Sequence, residues 1–199
     1  MRPHAVPVAV HDRAADNLRF IRETIERAGS FTAIPGRGGV VIGASAIITA
    51  ILSFPAAQSN PPLWLTCWLV DAVLAAVIAV ITIRRKAIAA GVSLTARPAR
   101  HFFLSYAAPP FAAAVLTAAE AAHAAYWLMP ATWLLAYGAA FVASGAFSIH
   151  LIPRMGLCFI LLGVAAAFLP LPEANIILGL GFGGLHIAFG WVIWRRFGG

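Results

Sequence analysis

Six apolar runs divide this chain, at about residues 39–56, 62–83, 102–123, 130–149, 154–171 and 174–194, with short polar or proline-bearing segments between them. Each run is near the roughly twenty residues that an α-helix needs to cross about 30 Å of hydrocarbon. The pattern predicts an all-α polytopic membrane protein of six transmembrane helices. The connections QSNPP and LPLPEA are so short that consecutive helices should be antiparallel neighbours, giving three hairpins. Ahead of the first run, residues 12–28 carry Ala14, Leu18, Ile21, Ile25 and Ala28 at helical spacing, the stripe of a short amphipathic helix. Asp12 or Asp16 can cap its start and Gly29 suits a left-handed position after its end. The string SFTAIPGRGG (30–39) then reads as a hinge. The expected division is a cytosolic amphipathic helix and hinge over 1–38 and a transmembrane bundle over 39–196.

Charge orients these elements. Of the fourteen Lys and Arg residues, six precede the first run; Arg84, Arg85, Lys86, Arg97 and Arg100 lie between the second and third. Arg154 starts the fifth, Arg195 and Arg196 close the sixth, and the three alternate loops hold none. Basic flanks are retained in the cytoplasm, so both termini are expected there. With 61% hydrophobic and only 11% charged residues, the +7 formal charge reads as a determinant of topology. No basic run is interleaved with stacking aromatics, which argues against a nucleic-acid partner. No secretory signal pattern opens the chain, and the first helix is expected to be the anchor. Residues 12–28 balance four Arg with four acids, which favours protein contact over anionic lipid: self-association, docking on the bundle, or a cytosolic partner. Trp64, Trp68, Trp127 and Trp133 at one boundary and Trp191 and Trp194 at the other suggest interfacial belts. Cys67 and Cys158 sit inside separate apolar runs and should remain unpaired small hydrophobes.

The candidate chemistry is sparse. Asp71 stands near the middle of the second run, where a carboxylate costs about 2.5–3.5 kcal/mol to insert and should face the interior, protonated or paired. His186 stands eleven residues after Asn175, as Asp71 does after Asn60; ILSFPAAQSN (51–60) and AAFLPLPEAN (166–175) suggest a weak internal repeat that would set the two at one depth. An Asp71–His186 pair could handle protons or a cation, or clamp two helices together. Glu120 and His123 share a helix face near the end of the third run. A lone Glu-x-x-His falls short of the set that di-metal bundles use and fits an interfacial pair at the outer headgroups, so no metal or other cofactor is assigned. The string GLGFGG (179–184) matches G-x-G-x-x-G without a strand-turn-helix context, and Gly39/Gly43 and Gly179/Gly183 instead suit close helix approach. Pro109-Pro110 should kink the third helix. No nucleophile, base and acid combine into a catalytic arrangement.

The stretch LRFIRETIERAGSFTAIPGRGG (18–39) resembles the start of uncharacterised bacterial multi-pass inner-membrane proteins that share an R-E-T-x-E-R-A-x-x-F-T-A-x-P-G string. The resemblance implies a bacterial inner-membrane protein and carries no activity or site residue. Three functions stay open: a small transporter or proton/cation-handling unit using Asp71 and His186, a scaffold or regulatory subunit using Leu18, Ile21, Ile25 and Ala28, and a haem or metal redox subunit using His123 and His186.

Overall fold

Inside hydrocarbon no water is present to bond the backbone, so each apolar run must satisfy its own N–H and C=O groups within a helix. The computed structural model describes residues 30–198 and has this character. Helix α1 spans Gly36–Ser59, α2 Pro61–Ala89 and α3 Arg97–Ala122. A single 3₁₀ turn, Tyr126–Leu128, leads into α4 (Met129–Gly145), followed by α5 (Leu151–Ala166) and α6 (Leu171–Phe197). No strand occurs among the described residues beyond one isolated backbone bridge, Phe31 to Ser148. Among the described residues five helices are long and apolar enough to cross a membrane, α4 with its 3₁₀ turn included; α5 is apolar but has 16 residues, about 24 Å at 1.5 Å per residue. Residues 12–28, with Leu18, Ile21, Ile25 and Ala28, lie outside the described part.

Local chemistry sets the helix ends. Asn60 accepts the Leu63 N–H at 3.2 Å, and prolines that need no donor occupy the first turns of α2, α3, α4 and α6. At the end of α2, Gly91 takes φ +63° while the Gly91 and Val92 N–H groups return to the Ile88 and Ala87 carbonyls, a Schellman closure. The end of α3 repeats this geometry with Ala124 at φ 54°. Between α4 and α5 the chain leaves the helix over 146–150, so α4 ends four residues earlier and α5 starts three residues earlier than the apolar pattern suggests. The cause is a tie to the entry segment: the Phe31 N–H donates to the Phe147 carbonyl and the Ser148 hydroxyl donates to the Phe31 carbonyl, each at 2.7 Å.

Glycines determine which helices meet. Helix α1 packs on α2 and α6, and α4 on α3 and α5, whereas α2 and α3 hardly touch. On the α1–α6 seam a methyl at Gly43 would lie 2.6 Å from the Gly183 carbonyl oxygen, and one at Gly190 would lie 2.8 Å from that of Gly36. The α4–α5 seam is reciprocal, since methyls at Gly138 and Gly156 would each stand 2.7 Å from the other's carbonyl oxygen. Such approach maximises dispersion contact where lipid offers no hydrophobic drive.

The ends that carry the basic residues come together around an apolar core of their own. Phe31, Ala33, Ala87, Ala99, Phe102, Ile152 and Ile193 are all buried there, bringing in the entry segment, the end of α2, the starts of α3 and α5, and the end of α6. The expected hinge is therefore held: Phe31 packs against Phe102 and Phe103 with ring centroids 5.0 and 5.3 Å away, and the Lys86 ammonium donates to the Ile34, Phe197 and Gly198 carbonyls. Residues from Phe31 onward form one compact unit, so 31–38 belong with the bundle. The tryptophans also depart from expectation. Trp64 and Trp68 are buried, Trp64 stacking on Trp133 at 5.4 Å, because a buried indole N–H needs an acceptor and Asn175 supplies one. Trp127 and Trp191 do face outward.

Candidate functional site

Because α2 and α3 are each held by a neighbour on the far side, a gap stays open between them on the flank of the bundle. Their facing sides are short, with alanines on both helices and Pro110 on α3, and the gap deepens into a cavity of about 570 Å³ that reaches α1, α4 and α6. Four titratable groups line it: Asp71 from α2, Tyr106 from α3, Tyr137 from α4 and His186 from α6. Helix α1 contributes no charge, but the Ser45 and Thr49 hydroxyls face the Asp71 carboxyl.

Asp71 is 7% exposed, and its Oδ1 has no hydrogen-bond partner. His186 is 5% exposed. Its Nε2 lies 2.9 Å from the Tyr137 hydroxyl, while Nδ1 has only the Phe182 carbonyl nearby and no well-formed hydrogen bond. The Tyr106 hydroxyl faces that of Tyr137, so phenol, phenol and imidazole form a row through the packed interior. His186 follows immediately on seven residues of π-helix, Gly179–Leu185, in the glycine-rich string that mimics a nucleotide motif. A π segment widens the turn and re-aims the residues after it, a device common at functional sites.

Asp71 and His186 thus line the same cavity, but no hydrogen bond or ion pair joins them. The repeat that set them at one depth also shifts. Asn175 Oδ1 accepts the Trp64 and Trp68 indole N–H groups at 2.9 Å, placing Asn175 beside the first two turns of α2 and not level with Asn60. His186 is accordingly deeper than Asp71, its carbonyl beside Gly39 of α1 whereas Asp71 faces Ser45 and Thr49, about two turns away along that helix.

The structure separates Glu120 from His123. Glu120 Oε1 accepts from the Thr132 hydroxyl at 2.5 Å and Oε2 is buried without a partner, while His123 is exposed with Nδ1 2.8 Å from the Ala119 carbonyl oxygen. Among the described residues no three His, Cys, Asp or Glu side chains gather as a metal site, and Cys67 and Cys158 are free thiols. His123 and His186, the pair a redox subunit would use, have different surroundings and no mutual contact.

Sequence reasoning passed over three polar positions. Asn175 also donates to the Ala50 carbonyl at 2.9 Å and accepts from Ser53 at 3.2 Å, joining α6 to α1 and α2. An asparagine inside an apolar run is a signal that could have marked it. Tyr106 and Tyr137 carry no such mark, since tyrosine is common at helix ends and interfaces alike. Comparison with known proteins finds no matching family model, curated protein or solved structure. The geometry itself is an apolar pocket with a carboxyl on its wall, one oxygen of which is unbonded while the Ser45 and Thr49 hydroxyls face the group from α1, suited to a ligand or ion whose charge or proton that carboxyl can take up.

Proposed function

We propose that the chain is a six-helix bacterial inner-membrane protein, with both termini cytoplasmic, that acts as a small carrier handling a proton or cation at Asp71. The six crossings combine the five long helices with α5, which a locally thinned bilayer or its burial against α4 accommodates. Bacterial origin and membrane rest on the resemblance of residues 18–39, and orientation on the one-sided basic residues.

The observation that carries the reading is Oδ1 of Asp71, buried and without a partner on the wall of an open cavity. A carboxyl in a membrane interior that only clamped two helices would be bonded to its opposite number. Here His186 is engaged with Tyr137, and only the neutral Ser45 and Thr49 hydroxyls face the carboxyl, which leaves its Oδ1 for a mobile species.

The test is proton flux into vesicles that contain the purified protein and the pH dye pyranine, driven by a valinomycin-clamped K⁺ gradient. Flux above that of empty vesicles, reduced at least about tenfold in Asp71→Asn while the variant elutes as the parent does, is the expected result. Flux equal to that of empty vesicles, or unchanged in the variant, overturns the assignment.

A further inference from the structure

We infer that the molecule recognised in this cavity is a lipophilic organic monocation, with a protonated amine or quaternary head and an apolar, ring-bearing body, entering sideways from the bilayer between α2 and α3. This rests on the carrier reading and names its substrate class.

The walls decide the class. A hard inorganic cation needs about six oxygens to replace its water; this cavity offers one carboxyl and the hydroxyls of Tyr106, Thr117 and Tyr137, of which Tyr137 is engaged with His186 and Thr117 with Trp133 and the Ala113 carbonyl. An organic cation carries its own apolar shell and needs a single counter-charge. Trp68 lies one turn from Asp71 on the same helix face, with the Trp133 and Phe182 rings 6.5 and 6.2 Å from it. Carboxyl and indole faces together are the pairing that cations on apolar bodies favour, through charge and through the ring quadrupole. The volume of about 570 Å³ lies within the range of pockets for drug-sized molecules. Access follows from the packing: of the alanines that line the gap, Ala72 and Ala76 on α2 and Ala114 and Ala118 on α3 are exposed on the flank of the bundle, where a molecule dissolved in lipid would meet them.

The experiment is equilibrium binding of tritiated tetraphenylphosphonium to the purified full chain in a mild nonionic detergent, with tetraphenylborate as an anion of the same shape. Saturable binding of the cation is expected, weakened at least about tenfold in Asp71→Asn, largely kept in Asp71→Glu, and not displaced by the anion. Ala114→Trp, which fills the gap and leaves Asp71 intact, should abolish binding; it covers the case in which Asp71→Asn does not fold. Absence of saturable binding, displacement by tetraphenylborate, or full affinity in Asp71→Asn overturns the inference. Failed binding beside Asp71-dependent proton flux overturns the substrate class alone, whereas failure of both removes the carrier reading as well.

Discussion

Trp68 on α2 donates its indole N–H to Oδ1 of Asn175 on α6 across 2.9 Å, and Trp64, one turn earlier, donates to the same oxygen. One amide thereby fixes two large rings that wall the cavity and the core beneath it. Asn175→Leu keeps the volume but orphans both indole donors and the buried Ser53 hydroxyl, and removes the bond to the Ala50 carbonyl. At about 1–3 kcal/mol for each buried group left unpaired, the expected loss is about 3 kcal/mol or more. Trp68→Phe removes one donor, keeps an aromatic ring, and should lower stability less. Thermal unfolding in one detergent gives the order; Asn175→Leu melting with the parent chain would show that the node is not structural.

The seams make a sharper steric prediction. Gly43→Ala and Gly138→Ala each drive a methyl against the facing helix backbone, 2.6 and 2.7 Å from a carbonyl oxygen that cannot rotate away. Both should lower the melting temperature markedly, by the order of the 1–3 kcal/mol that overpacking costs. Gly184→Ala is the control, because its methyl would meet nothing within 4 Å. Removing a glycine there should be neutral or slightly stabilising. Similar losses at all three positions would mean that close approach is not the reason for the glycines.

The helices were legible because lipid enforces long apolar runs, and Asp71 and His186 because a lone ionisable residue stands out within one. What periodicity could not convey is direction within the bundle. Trp64 and Trp68 stand where an interfacial belt would place them, and only the position of Asn175 on another helix turns them inward. Asp71 and His186 were brought to one cavity but not to one another, because the π segment re-aims His186 toward Tyr137, a residue that local spacing gives no cause to select. The cavity itself is a non-local result: it exists because α2 and α3, neighbours in sequence, pack on different partners.

Lys86 reads in the sequence as one basic residue among several, yet its ammonium bonds three carbonyls, of Ile34 at 2.8 Å, Phe197 at 3.0 Å and Gly198 at 2.7 Å. It pins the end of α6 beside the entry segment, and its charge suits a helix C-terminus. Lys86→Met preserves the reach and removes the donors. Faster amide exchange is expected at 31–36 and 195–198, with a stability loss of about 1.5–3 kcal/mol from charged hydrogen bonds. Hydrogen-exchange mass spectrometry checks this, and unaltered exchange at both segments would show that other contacts hold them.

Ala124 offers the opposite sign. It closes α3 at φ 54°, in the role that Gly91 fills for α2 at φ +63°, and it is exposed, so its methyl packs on nothing that would offset the strain. An L side chain in that left-handed region costs about 1–2 kcal/mol, part of which glycine returns through the entropy of the unfolded chain. Ala124→Gly should therefore stabilise by about 0.5–1 kcal/mol, and Gly91→Ala should destabilise by about 1 kcal/mol. Melting temperatures that move in opposite directions for these two variants are the expected result. A fall in Ala124→Gly would mean that the chain after α3 does not close through a left-handed residue, and the turn leading into α4 would have to be reassigned.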